Sequence, residues 1–163
     1  FNQVAEHFDD FNTFFMPLAQ ARRSRAGKTF ELILKQVFDY CNIPYSYQPR
    51  NVDGKPDFII PGETGYRSTP QETLVVTAKR TVRERWRQIT TEGTRGYRFY
   101  LTTLDTNISK NTLDEMNRNH VSLIVPKSII DGNNVYEQSS TIYSFHDIFN
   151  RLIPNCLQYW NRQ

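Results

Sequence analysis

Apolar residues return at steps of three and four through the N-terminal quarter of the chain, the spacing of helices laid against a core. Over residues 2–20 they are Val4, Phe8, Phe11, Phe14, Phe15 and Leu18, which predicts an amphipathic helix interrupted near Pro17. Residues 24–27 read as a break, with Ser24 as the cap of a second helix over 28–40 that turns Phe30, Ile33, Leu34, Val37 and Phe38 inward. Glu31 then falls on the edge of the buried stripe, within reach of Lys28 or Lys35. The periodicity next changes to that of strands. Residues 43–48 and 57–60 form the arms of a hairpin, 61–70 a polar loop, and 73–79 a strand on which Val75, Thr77 and Lys79 share a face. A helix over 82–92 would bury Val82, Trp86 and Ile89 and leave Arg83, Glu84 and Arg87 outside. Strand 98–103, helix 111–119, strand 121–125 and a last helix from 144 to about 152, broken near Pro154, complete the series. Strands alternating with helices predict an α/β fold with a mixed central β-sheet flanked by helices.

Composition adds bounds to this picture. A chain of 163 residues fits one domain, and the expectation is a single catalytic domain over 1–163; a start at Phe1 rather than Met leaves room for a piece of a longer protein. The net charge of +3 is mild, but its distribution is not: Arg22, Arg23, Arg25 and Lys28 form one cluster, and Lys79, Arg80, Arg83, Arg85 and Arg87 another. Cys41 and Cys156 lack the paired spacing of a zinc site and are read as free thiols of a reducing compartment. No apolar run reaches membrane-spanning length and no signal peptide is visible, so a cytoplasmic protein without membrane partners is expected.

The candidate chemistry lies between residues 57 and 92. Hydrolysis of a phosphodiester with Mg²⁺ requires carboxylates to hold the metal and a cation to stabilise charge or help activate water. The Pro56-Asp57 pair at the head of a strand, followed by Lys79 on the next, is the PD-(D/E)xK arrangement of metal-dependent nucleases, except that Thr77 occupies the acid position. A neutral hydroxyl brings no charge to a hard cation. Glu92, on the flank of the following helix, is the candidate for a relocated metal ligand, against the plainer role of an ion pair with Arg85 or Arg95.

The run Lys79-Arg80-Thr81-Val82-Arg83-Glu84-Arg85-Trp86 resembles the signature of type II restriction endonucleases of the EcoRII, SsoII and PspGI group. In that group the catalytic lysine is followed four residues on by a basic-acidic-basic triplet and a tryptophan, and the second metal-binding acid sits on the helix. The run Ser24 through Glu31 is similar to the helix start where the group has a further active-site glutamate. The resemblance implies a restriction-endonuclease-like fold in which Asp57 and Glu92 hold Mg²⁺, Lys79 contacts the scissile phosphate or attacking water, and Glu31 orients water or metal from a second shell. It also implies that Arg83 and Arg85 donate to guanine and Glu84 accepts from cytosine amines. Arg80, Arg25 and Lys28 would meet DNA, mainly at phosphates, and Gln20 an outer base pair. A homodimer cutting double-stranded DNA at a CC/GG-type site (CCNGG, CCWGG or similar), with 5′ overhangs and no small-molecule cofactor beyond the metal, is the expected activity, in a bacterial or archaeal cytoplasm. Some members of the group also flip the central bases. Two other readings stay open: a structure-specific repair or recombination nuclease of the same fold, and a DNA-binding module whose catalytic site has decayed.

Overall fold

The computed structural model describes residues 8–50, 52, 54–82, 86–87 and 98–162, and for residues 8–12, 14, 15 and 23 the backbone alone. Helix α1, Phe8–Tyr40, is continuous through Pro17 and through the expected break at 24–27. A proline removes one backbone bond and can bend a helix without ending it. Gly27 costs about 1 kcal/mol relative to alanine, less than exposing the orphan groups of two new helix ends. Ser24 is therefore inside the helix and caps nothing. Further along, Phe30, Glu31, Leu34 and Phe38 are buried, whereas Ile33, expected to face inward, is 51% exposed. The buried stripe follows the four-residue step 30, 34, 38, and that places Glu31 on the stripe itself.

Strands β1 (Ser46–Tyr47), β2 (Phe58–Ile60), β3 (Leu74–Ala78), β4 (Phe99–Thr102), β5 (Val121–Val125) and β6 (Ile142–Ser144) lie side by side in that order. β1, β2 and β3 are antiparallel, and β3 through β6 are parallel, so the sheet is mixed as the alternation of elements predicted. All residues of β2, β3, β4 and β5 are buried, because helices cover both faces. On one face α1 packs Phe30, Leu34 and Phe38 against Phe58, Ile60, Leu74, Val76 and Ala78. The other face carries Val75, Phe99, Leu101 and Leu123, covered by Val82, Trp86 and helix α3 (Lys110–Arg118). The alternation along β3 thus sends successive side chains into two separate cores.

Three further differences from the sequence expectations lie in the connections and at the last helix. Residues 61–70 are not a plain loop: helix α2 (Glu63–Ser68) and a 3₁₀ turn over Pro70–Glu72 fill it. They are held by the C-terminal Trp160, whose Nε1 donates to the Glu72 carbonyl at 2.9 Å and whose ring would lie 3.1 Å from a Cβ at Gly65. Between β5 and β6 the chain inserts two short helices, α4 (Lys127–Ile130) and α5 (Asn134–Glu137), and β6 itself is too short for its pattern to register. The last helix does not break at Pro154. A first turn α6 (Phe145–Asp147) leads into π-helical Ile148–Leu152, and Pro154 then opens α7 (Ile153–Trp160) in its first turn, where a missing N–H costs least.

Candidate active site

The site forms where β2 and β3 part. Phe58 pairs with Val76, which brings Asp57, one residue before β2, opposite Thr77. The Asp57 N–H donates to Thr77 Oγ1 at 3.3 Å, and Asp57 Oδ2 accepts the Ala78 N–H at 2.7 Å. Thr77, at the position where an acid would be expected, is buried and props the Asp57 backbone. The strand ends at Ala78, and Lys79 follows with its backbone N–H donating to the Thr102 carbonyl at 2.9 Å. That anchor directs Lys79 back over the sheet edge, with Nζ 3.8 Å from Asp57 Oδ2. Burial pushes the Asp57 carboxyl above its ordinary range; Lys79 and the Ala78 N–H oppose the rise, and the nearby Glu31 charge adds to it.

Glu31 reaches the same place from α1 and is 8% exposed. Of the two cations the sequence offered it, Lys28 is the partner, at 2.8 Å, while Lys35 pairs with Asp39 at 2.8 Å. Tyr47 OH and, at 2.8 Å, Gln48 Nε2 also donate to Glu31. Burial pushes the Glu31 carboxyl up, but Lys28, Tyr47 and Gln48 outweigh it and hold the group below the usual carboxylate range. In turn, Glu31 and then Tyr47 raise the Lys28 ammonium well above the usual lysine range. Tyr47 and Gln48 were not legible as site residues: each is a single polar side chain in a two-residue strand or just past it.

Arg83, Glu84, Arg85 and Glu92 lie outside the described residues, as does most of the predicted helix over 82–92. Trp86 and Arg87 are helical, and Val82 and Trp86 are buried as expected. Loop 103–109 holds the segment that leads to them. Thr103 Oγ1 donates to the Arg80 carbonyl at 3.1 Å, and Asp105 Oδ2 accepts the Val82 N–H at 3.0 Å. Asp105 is fixed in its turn, since its Oδ1 accepts the Asn107 N–H and its carbonyl the Tyr136 hydroxyl. On the far side Arg87 pairs with Glu115 of α3 at 3.0 Å. Asp105 therefore anchors the main chain at Val82 from another loop, which a local sequence pattern cannot reveal. Asp105→Ala, which removes this hydrogen bond, is expected to lower stability by about 1 kcal/mol, read as a drop in the denaturant midpoint with an unchanged m-value.

The remaining named residues lie further out. Gln20 and Arg25 are exposed on α1, and Arg80 is exposed just after Lys79. Lys28 turns its ammonium to Glu31 while its side chain stays 48% exposed. Among the described residues no group of three or more His, Cys, Asp or Glu converges as a metal site. The carboxylates present still suit a hard cation. Asp57 is a buried oxygen donor with Lys79 beside it, and the three donors to Glu31 among the described residues all fall on Oε1, which leaves Oε2 without one among them. No helix among the described residues is long and apolar enough to cross a membrane.

Residues 2–149 match the family described as EcoRII C terminal. The chain is 35% identical over 140 residues to the type II restriction enzyme SsoII of Shigella sonnei, covering 79% of this chain and 45% of that protein. It is 33% identical over 126 residues to the type II restriction enzyme EcoRII of Escherichia coli, covering 74% and 31%. The chain thus spans less than half the length of these relatives. Among solved structures it resembles metal-depleted Ecl18kI in complex with uncleaved, modified DNA, with a TM-score of 0.83 and 27% identity over 98% of this chain and 55% of that one. It also resembles PspGI in its complex with substrate DNA, with a TM-score of 0.71 and 25% identity over 96% and 73%.

Proposed function

The chain belongs to the EcoRII C-terminal family of restriction endonucleases, and on that premise we propose that it is a Mg²⁺-dependent endonuclease that cuts double-stranded DNA at a CC/GG-type site, leaving 5′ overhangs. The observation that carries this reading is the convergence of Asp57, just before β2, Lys79, just after β3, and Glu31 of α1 where these two strands part. Asp57 and Glu92 would hold the metal. When bound, Mg²⁺ would polarise the scissile phosphate and lower the pKa of the attacking water. Lys79, fixed by its backbone to β4, would lay its ammonium against the charge that develops on the phosphate oxygens. Glu31 stays ionised through its three donors and would orient the water as an acceptor. The pull of burial on Asp57 supports the same assignment, because a second cation beside it would offset the cost of keeping it charged.

Sequence reading falls to Arg83, Glu84 and Arg85, which follow Val82 directly, with Arg25, Arg80 and Lys28 at phosphates and Gln20 at the outer pair. A two-fold site read by a single such triplet calls for a homodimer in which each copy cuts one strand. Arg83→Ala is expected to cost about 1–3 kcal/mol of discrimination at its own base pair. Equal weakening on all sequences, in competition binding against single-base variants, would assign Arg83 to a phosphate instead. The enzyme reading itself is tested by incubating supercoiled plasmid with the wild-type chain in Mg²⁺, in EDTA, and with Asp57→Ala in Mg²⁺. Linear product in the first sample alone is expected; cleavage by Asp57→Ala would remove that residue from the metal site.

A further inference from the structure

Gln48 touches the Glu31 carboxylate and the main chain of Asp57, and it does so from a backbone conformation that L residues avoid. Its φ is 46°, in the left-handed region, where a residue with a side chain costs on the order of 1 kcal/mol. The main-chain N–H of Gln48 donates to the Asp57 carbonyl at 2.8 Å, and its side-chain Nε2 donates to Glu31 Oε1 at 2.8 Å. Tyr47 precedes it and adds its hydroxyl to the same oxygen, with its ring packed on Phe58, the residue after Asp57, at 5.4 Å between centroids. Lys28 supplies the third donor and also lies over the Tyr47 ring. An extended residue 48 would continue the strand and turn its side chain away, so the strain is the condition of the bridge.

Three donors on Oε1 use up its lone pairs and fix the plane of the carboxylate, and among the described residues Oε2 is left as the acceptor. We propose that Tyr47 and Gln48 are positioning residues, a two-residue clamp that fixes the direction of the remaining Glu31 oxygen and ties Glu31 to the Asp57 main chain, so that the two carboxylates would be spaced to share a divalent cation. The inference rests on the nuclease reading given above. A Glu31 held only by Lys28 would keep its charge but lose its direction, since a lysine on a flexible stem gives a point charge rather than a plane.

The decisive variant is Gln48→Gly, which removes the amide donor and at the same time relieves the left-handed backbone. Tyr47→Phe is its companion, deleting the hydroxyl and keeping the ring on Phe58. Mn²⁺ binding to the full chain with uncleaved duplex is read by electron paramagnetic resonance, beside the melting temperature and the single-turnover cleavage rate, with wild type and Asp57→Ala as controls. Gln48→Gly should melt no lower than wild type, bind Mn²⁺ about 10-fold more weakly and cleave about 10–100-fold more slowly at unchanged DNA affinity, with Tyr47→Phe altered in the same sense. Unchanged Mn²⁺ affinity and rate in both variants would overturn the clamp. So would a loss of melting temperature that accounts for the loss of rate in both. A wild type whose Mn²⁺ binding is the same as that of Asp57→Ala would instead overturn the nuclease reading on which the clamp depends.

Discussion

Lys79→Ala is expected to lower the single-turnover rate of DNA cleavage by about 10²–10³-fold, the usual effect of removing one preorganised stabiliser of transition-state charge. Equilibrium binding to the same duplex should stay within a few-fold, with the salt slope reduced by about 1 if the ammonium meets one phosphate. The prediction follows from where the residue sits. Its backbone is tied to Thr102, and its Nζ stands 3.8 Å from Asp57 Oδ2 with the side chain 40% exposed, beside the carboxylate proposed to hold the metal. Lys79 is also the main counterweight to the burial of Asp57. Its loss should move the acid limb of the pH–rate profile to higher pH, because the carboxylate proposed to hold the metal then ionises later. Lys79→Arg should not restore the rate fully, since a planar guanidinium cannot replace a compact ammonium in the same space. A rate within tenfold of wild type for Lys79→Ala would place the catalytic cation elsewhere.

Asp57→Asn should abolish cleavage and yet stabilise the protein. Burial raises the folded-state pKa of Asp57 above the value near 3.9 of an unperturbed aspartate. Between those two values the folded state holds a proton that the unfolded state has released, so wild-type stability declines as pH rises through the window. Asparagine can still accept the Ala78 N–H and carries no charge to desolvate. The cost on the other side is small, because Lys79 is 40% exposed and loses little when a half-solvated partner becomes neutral. The gain should appear as a higher melting temperature above the folded-state pKa of Asp57. It should vanish below the unfolded-state value, where both side chains are neutral. Thermal melts of both proteins without metal across pH 3 to 8 check the sign; a variant less stable at neutral pH would mean that Asp57 gains more from Lys79 than it loses by burial.

The parts of this molecule that local chemistry determines were legible in the sequence. Apolar runs at β3, β4 and β5 are buried on both faces and announce themselves by composition alone. The spacing of Asp57 and Lys79 on successive strands became a distance because antiparallel register carries it across. What stayed hidden was set by partners far along the chain. Trp160 gives shape to residues 61–72, Asp105 anchors Val82, twenty-three residues before it, and Ile33 faces outward because the sheet meets α1 at 30, 34 and 38. The site divides in the same manner. Asp57, Lys79 and Glu31 have residue types that name their chemistry, whereas Tyr47 and Gln48 act through a carboxylate they meet only in the fold. Glu92 and the triplet Arg83-Glu84-Arg85, outside the described residues, rest on the sequence signature.

The most direct test of the function is to digest a plasmid of known sequence with the wild-type chain in Mg²⁺, beside Asp57→Ala, and to sequence the ends of the products. Discrete 5′-overhanging ends at CC/GG sites, absent with Asp57→Ala, are the expected result and would also give the central base and cut position. Ends scattered without regard to sequence, or no Asp57-dependent cleavage while DNA is still bound, would contradict it and leave the repair-type nuclease or the decayed module in its place.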